Sequence, residues 1–451
     1  MSTAQRALSG WGNFTVETCA VHRPSSWGAL QECVAAGGTL ISRGLGRSYG
    51  DSSLNEAGVI DQTGLSRFLD FDADAGVIEC ESGVSLGEII EVVQPRGWFL
   101  PTTPGTKFVT VGGAIAADVH GKNHHADGSF GDFLEHFHLL LASGEIVRCS
   151  PTENPDLFGA TIGGMGLTGL VLSARFRLHP VQTAYYDVTF RRTKDLDESL
   201  RTFADTDGDY RYSVAWIDCL AKGRSLGRSV VMVAKDAQVE QLKGRRRATP
   251  LSTPPKRKLA VPFQAPSYAL NPLTVRAFNT VYYAANKSTQ KLVDWDTFFY
   301  PLDSVLHWNR IYGRRGFVQY QALLPKETSR DGLVALLERI ARQNQASFLA
   351  VLKSCGERGR GWMSYLFPGH TLALDFPNFG PELMPFVAEL DKILLDHGGR
   401  LYLAKDAMMD PVTFRTMYPE AERFLAYKGE VDPEGRFQSA QARRVGLVNA
   451  A

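Results

Sequence analysis

The ten residues Ser42-Arg43-Gly44-Leu45-Gly46-Arg47-Ser48-Tyr49-Gly50-Asp51 set three glycines and two arginines behind a short apolar stretch, Thr39-Leu40-Ile41. Glycine lets a backbone come close to a ligand and take up positive φ, so successive N–H groups can converge on anionic oxygens. That chemistry is phosphate binding. The spacing Gly-x-Gly-x-x-x-Gly departs from the dinucleotide fingerprint, and no helix is expected directly after Gly50, which disfavours a nicotinamide site. Two further loops of small residues follow. Pro104-Gly105-Thr106 leads into Thr110-Val111-Gly112-Gly113-Ala114-Ile115-Ala116-Ala117-Asp118-Val119-His120-Gly121, and Gly163-Gly164-Met165-Gly166-Leu167-Thr168-Gly169 comes later. The run from Gly112 to Ala117 leaves room for a large planar ligand against the backbone, and a flavin with its adenine dinucleotide tail fits.

A flavin that oxidises an alcohol takes hydride from the carbinol carbon, so polar groups must converge above the ring to receive the hydroxyl proton. Gln319 and Gln321 alternate along the expected strand Phe317–Leu324 and point to one face, where two amides can hold a sugar. Lys405 follows the apolar Leu401-Tyr402-Leu403-Ala404, and Lys353 ends Phe348-Leu349-Ala350-Val351-Leu352. His120 and His124 would share a helical face and invite a metal, but Gly121 and Asn123 weaken that helix and the motif places no acidic or cysteine partner. No metal is expected. A Ser-His-Asp hydrolase lacks its Gly-x-Ser-x-Gly turn.

The elements that must position these groups read as α+β. Trp27–Ala36 suits a helix, Thr39–Ser42 a strand, and Phe68–Phe71 with Val77–Glu81 a hairpin. Ser85 and Glu88 have capping-box spacing ahead of Ile89, Ile90, Val92 and Val93, so a helix starts there. Phe137–Ala142 and Glu145–Cys149 form a second hairpin turning at Ser143-Gly144. Beyond Val181 come longer strands and two amphipathic helices, around Leu333–Ile340 and Leu383–Leu395. The run Lys243–Lys258 has seven basic residues, three prolines and no acid, and is expected to be a mobile loop, suited to anionic headgroups or a phosphate-bearing substrate. A chain of 451 residues, 44% hydrophobic, can bury two cores. Net charge of +1 argues against nucleic-acid binding, and the six scattered cysteines against disulfides or zinc. Neither a signal sequence nor a membrane span is expected, so the protein is read as cytoplasmic or membrane-peripheral.

The ordered set of Arg43–Asp51, Pro104-Gly105, Thr110–Ala116, His120-Gly121-Lys122-Asn123-His124-His125 and Gly166–Gly169 resembles the vanillyl-alcohol oxidase, or PCMH-type, family of FAD-binding proteins. Within it, Ser213–Trp216, Gly316–Gln321, Ala404–Asp406 and Ala442–Arg444 are similar to the oxidases of polyprenyl-phosphate pentoses. The resemblance implies an FAD domain (1–180) interrupted by a substrate domain with an antiparallel sheet (181–402, including the loop 243–258) and completed by 403–451. It implies a cofactor shell of Ser42 to Asp51, Gly105, Thr110, Val111, Gly112, Gly113, Ala117, Asp118, Val119, His120, Val171 and Tyr402. Lys405, Gln321, Tyr49 and His120 would be catalytic, and Lys122, Gln319, Gln321, Lys353 and Thr371 would bind substrate.

The implied reaction is oxidation of the 2-hydroxyl of decaprenylphosphoryl-β-D-ribose to the 2-keto sugar, with a separate NAD(P)H-dependent keto-reductase completing an epimerisation. The result is an arabinose donor for cell-wall synthesis. A sugar-alcohol or aldonolactone oxidase using oxygen, or a flavin protein without turnover, are the alternatives. Three positions depart from the family pattern: Thr371 and Ala373 stand where asparagine and cysteine are usual, and Val214 replaces a serine. Many relatives attach FAD through a histidine at the place of Arg47, so FAD should be non-covalent here. Acid precipitation should then leave a colourless pellet and a yellow supernatant; flavin that stays with the denatured chain contradicts the expectation.

Overall fold

The computed structural model describes residues 4–254, 256–266, 270–344 and 349–448; Met1 to Thr3, Pro255 of the basic run and Phe348 ahead of Lys353 lie outside them. Local signals set the first elements. Ser85 accepts from the Glu88 amide while the Glu88 carboxylate accepts from the Ser85 backbone, and the helix Leu86–Val93 begins there. Such a cap contributes about 1 kcal/mol. The two hairpins become part of one five-stranded antiparallel sheet, ordered Phe68–Asp72, Val77–Glu81, Leu170–Arg177, Leu134–Leu140, Ile146–Cys149. Beside it stands a four-stranded sheet of Ala4–Ser9, Val16–His22, Val59–Asp61 and Ile41–Arg43, from whose last strand the glycine loop departs.

The larger sheet has eight strands, in the order Thr289–Asp294, Tyr185–Thr193, Ser229–Asp236, Tyr212–Ile217, Ala350–Cys355, Gly369–Pro377, Phe317–Pro325, Arg400–Leu401. The helices Ser329–Gln343 and Leu383–Asp396 cover it through Leu333, Leu336, Leu337 and Ile340 and through Leu383, Phe386, Leu390 and Leu394, all buried. Two helices that sequence periodicity did not single out, Leu196–Thr206 and Pro272–Ala285, also belong to this part of the chain. The basic run stays on the surface but is anchored: Arg246 lies over the Tyr185 ring, the Pro250 carbonyl accepts from the Ala184 amide, and Lys256 pairs with Asp294. All six cysteines are buried. Among the described residues no helix is long and apolar enough to cross a membrane.

After the large sheet the chain returns to the small one. The Leu40 amide donates to the Arg436 carbonyl, and the Gln438 amide donates to the carbonyl of Leu40. Arg444, on the helix Ala440–Val445, donates to Asp51 (2.7 and 3.1 Å), to Asp406 (2.9 Å) and to the Met409 carbonyl (2.7 Å). One guanidinium therefore neutralises two buried carboxylates, one in the glycine loop and one beside Lys405. Removing one partner of such a cluster leaves uncompensated charge, so Arg444→Met should cost about 3–5 kcal/mol. Urea unfolding checks this, and an unchanged midpoint would remove the cluster from the list of stabilising contacts.

Candidate functional site

A cavity of about 290 Å³ opens between the glycine loops and the large sheet. Its first wall is backbone. Gly44, Gly46, Gly112, Gly113, Ala116 and Ala117 line it, and a Cβ placed on Gly105 would meet nothing within 4 Å, so the space before Gly105 belongs to the cavity. Gly44 is there for a different reason, because its Cβ would strike Thr110 Oγ1 at 2.2 Å. Small residues along a slot, with the serines Ser42, Ser48, Ser52 and Ser53 beside them, suit a long ligand with a flat ring and a phosphate-bearing tail. The residues present fit FAD.

The opposite wall is the face of three adjacent strands. Direct cross-strand pairs put side chains on the same side of a sheet, and the pairs Gln319↔Asp375, Gln321↔Ala373↔Val351 and Lys353↔Thr371 form successive rows. Ala373 is the small member of the middle row. Gln319 donates to Asp375 at 2.6 Å, and Tyr312 donates to the other oxygen of that carboxyl at 2.9 Å. Burial raises the Asp375 carboxyl to about 7, against these two donors and Lys405. Gln321 donates to His120 Nε2 at 3.0 Å. With that nitrogen accepting, the His120 proton sits on Nδ1, which is buried without a partner among the described residues. Burial, then Lys353, His124 and Lys405, holds this imidazole neutral.

Lys405 is presented by a tight turn in which its own amide and that of Asp406 both donate to the Tyr402 carbonyl. Its Nζ lies 4.0 Å from the centre of the Tyr49 ring, which packs edge-on against Phe317. The Tyr402 hydroxyl donates to the Ala117 carbonyl (2.7 Å), tying this turn to the cofactor wall. Burial lowers the Lys405 amine to about 7, with Asp375 opposing and Lys353 adding to the shift. Lys353 is lowered by burial too, and no hydrogen bond from it is found among the described residues.

Of the expected residues, Ser42, Gly44 to Tyr49, Gly105, Thr110, Gly112, Gly113, Ala117, Val119, His120, Gln319, Gln321, Lys353, Tyr402 and Lys405 line the cavity together. Arg43, Gly50, Asp51, Val111, Asp118 and Val171 stand behind that lining. Arg43 donates to the Ser9 carbonyl, Asp51 holds Arg444, Asp118 accepts from Ser129, Ser364 and the Gly131 amide, and the Val171 carbonyl accepts from Gln62. Thr371 is also one layer back, bonded to the Tyr365 hydroxyl at 2.8 Å. Lys122 does not reach the cavity, contrary to expectation. Its ammonium donates to the Phe298 and Phe299 carbonyls (2.6 and 3.3 Å), which satisfy it where it is buried.

Sequence reasoning missed Trp11, Asp303, Trp308, Leu349 and Met165 in the lining. Only Met165 carried a signal, since it interrupts the third glycine loop and takes φ +54°. Away from the cavity, Glu79, His136 and His138 bring ligand atoms within 4.8 Å of one another. Arg148 donates to His136 Nδ1 there and Arg175 adds a second positive charge, an environment that opposes a cation.

The match to a model of the FAD binding domain covers residues 20–150, and that to D-arabinono-1,4-lactone oxidase covers 373–445. Decaprenylphosphoryl-beta-D-ribose oxidase of Mycolicibacterium smegmatis is 36% identical over 99% of this chain and 98% of its own. An uncharacterised Streptomyces coelicolor protein is 34% identical over 81% of this chain and all of its own, and L-gulono-1,4-lactone dehydrogenase of Mycobacterium tuberculosis is 23% identical over 96% and 98%.

The depressed Lys405 amine has a thermodynamic consequence. Between about pH 7 and the ordinary lysine range near ~10.4 the unfolded chain binds a proton that the folded chain lacks, so stability from this group rises with pH across that window. Below pH 7 both states are charged and the full desolvation cost is felt. Lys405→Met should therefore stabilise the cofactor-free protein, with a gain greatest at pH 7 and fading towards pH 10. Thermal unfolding across that range tests it; a gain independent of pH would place the Lys405 amine in an ordinary solvated state.

Proposed function

The chain belongs to the family of decaprenylphosphoryl-β-D-ribose oxidase and is an FAD-dependent oxidoreductase, and from that premise we propose that it oxidises the 2-hydroxyl of a polyprenyl-phosphate pentose, decaprenylphosphoryl-β-D-ribose, to the 2-keto sugar. The observation that carries this reading is the chemistry of the sheet-side wall. Gln319, Gln321, Lys353 and Lys405 offer two amides and two amines, and among the described residues Asp303 is the single carboxylate in the cavity lining. Amides and amines suit the hydroxyls of a pentose, and a surplus of positive charge in the cavity suits a ligand that carries phosphate.

When bound, FAD supplies the acceptor for the hydride that leaves C2. Lys405 holds the 2-hydroxyl. An amine brought to about 7 is shared between its two protonation states at neutral pH, so it can receive the hydroxyl proton and stabilise negative charge at that oxygen. Gln321, fixed by His120, and Gln319, fixed by Asp375, orient the ring. Ala373 leaves room between them and Val351. A separate NAD(P)H-dependent keto-reductase would turn the keto sugar into the arabinose donor. The surface run Lys243–Lys258 suits a protein that meets its substrate at an anionic membrane face.

A second reading, oxidation of a free sugar lactone, is favoured by the match of residues 373–445 to D-arabinono-1,4-lactone oxidase. Anaerobic bleaching of the bound flavin separates the two. Polyprenyl-phosphoryl ribose should bleach it, while an aldonolactone and ribitol should not. Faster bleaching by the lactone would replace the first reading with the second, and no bleaching by any of them would leave a flavin protein without turnover. Lys405→Ala should keep its FAD and lose roughly 10²-fold or more in the rate of bleaching, the usual effect of deleting one preorganised charge. An unchanged rate would remove Lys405 from the reaction.

A further inference from the structure

Arg47 lies two residues before Tyr49 and lines the same cavity. Its guanidinium sits 3.9 Å from the ring centre of Trp11 and 5.2 Å from that of Phe108. Stacking on aromatic faces fixes a guanidinium while leaving its in-plane N–H donors free. Here they are unused. Among the described residues Arg47 makes no hydrogen bond and no ion pair, and its Nε is fully buried. Asp303 is the carboxylate that acts on it, from beyond ion-pair distance, and one oxygen of Asp303 already accepts from the Lys107 amide at 2.9 Å. A cationic donor set held rigid on a cavity wall without an acceptor is a place for an anion.

Its surroundings say which anion. Trp11 contacts Trp308 edge to face at 5.9 Å, and Lys258 places a second ammonium 5.1 Å from the same Phe108 ring. Trp308 and Lys258 come from the part of the chain that carries the large sheet, not from the Gly112–Ala117 wall. Tyr49, next but one in sequence, is in turn the residue under Lys405. In a sugar 1-phosphate the phosphate hangs on the carbon beside the one oxidised, so it must lie close to whatever holds the 2-hydroxyl. We propose that Arg47, clamped by Trp11 and Phe108 and seconded by Lys258, receives the phosphate of the substrate rather than the pyrophosphate of the cofactor. The assignment rests on the reading of the substrate given above.

The test is equilibrium binding to the FAD-loaded protein, with FAD content measured in parallel. The probes are farnesyl-phosphoryl 2-deoxyribose, which cannot be oxidised at C2, and the corresponding farnesyl glycoside without phosphate. Arg47→Gln should keep the wild-type ratio of FAD to protein and lose about 10- to 100-fold in affinity for the phosphorylated probe, the range for a hydrogen bond to a charged group. Binding of the phosphate-free probe should be unchanged, and Arg47→Lys should recover part of the loss. If Arg47→Gln instead sheds FAD and, once saturated with it, still prefers the phosphorylated probe, Arg47 serves the cofactor. If the wild type prefers the phosphorylated probe and Arg47→Gln prefers it equally, this inference alone fails. A wild type without any such preference takes the proposed substrate down with it.

Discussion

Everything in this site is referred to one buried junction, where Arg444 holds Asp51 and Asp406. Two carboxylates cannot share a dry space without a cation, and the guanidinium fork answers both while also donating to a carbonyl. The junction presses the glycine loop onto the Lys405 turn. The Tyr49 amide donates to the Ala404 carbonyl, and Gly50 lies so close to Asp406 that a Cβ there would sit 2.0 Å from its carbonyl oxygen. Tyr49 and Lys405 face each other because their backbones are locked together one residue away. The glycine-loop wall and the Lys405 amine are thereby one rigid piece, although they come from distant parts of the chain.

Around that piece the electrostatics are lopsided. Burial lowers the amines of Lys122, Lys353 and Lys405, and Asp375 is the buried carboxyl that counters Lys405. Such a cluster is costly to fold and suits a site whose ligands carry negative charge. Lys122 shows the structural solution, two backbone carbonyls; Lys353 and Lys405 are left with the cavity in front of them.

What could be read from the sequence was local. The Ser85 and Glu88 cap, the hairpin around Gly144 and the alternation of Gln319 and Gln321 each depend on residues a few positions apart, and each signal is undiluted by tertiary context. The glycine loops were legible because a backbone wall needs one residue type. Trp11, Asp303 and Trp308 could not be read, since a lone aromatic or acid becomes a wall only when a distant segment folds over it. Lys122 misled for the same reason in reverse: its motif is beside the cavity, but the two phenylalanine carbonyls that capture it come from 176 and 177 residues away. Asp375 was hidden in a strand that reads as apolar, and its meaning depends on the strand partner opposite it.

The bond between Asp51 and Arg444 joins residues 393 apart, which fixes an order of assembly. The strand before the glycine loop waits for Arg436 and Gln438 to complete its hydrogen bonds, and Tyr49 waits for Ala404. Contacts of such sequence separation form late and slowly. The four-stranded sheet is thus a half-built dock until those segments fold against it. Loss of the helix Ala440–Val445 would leave every glycine of the cradle in place and take away the guanidinium that ties it to the Lys405 turn.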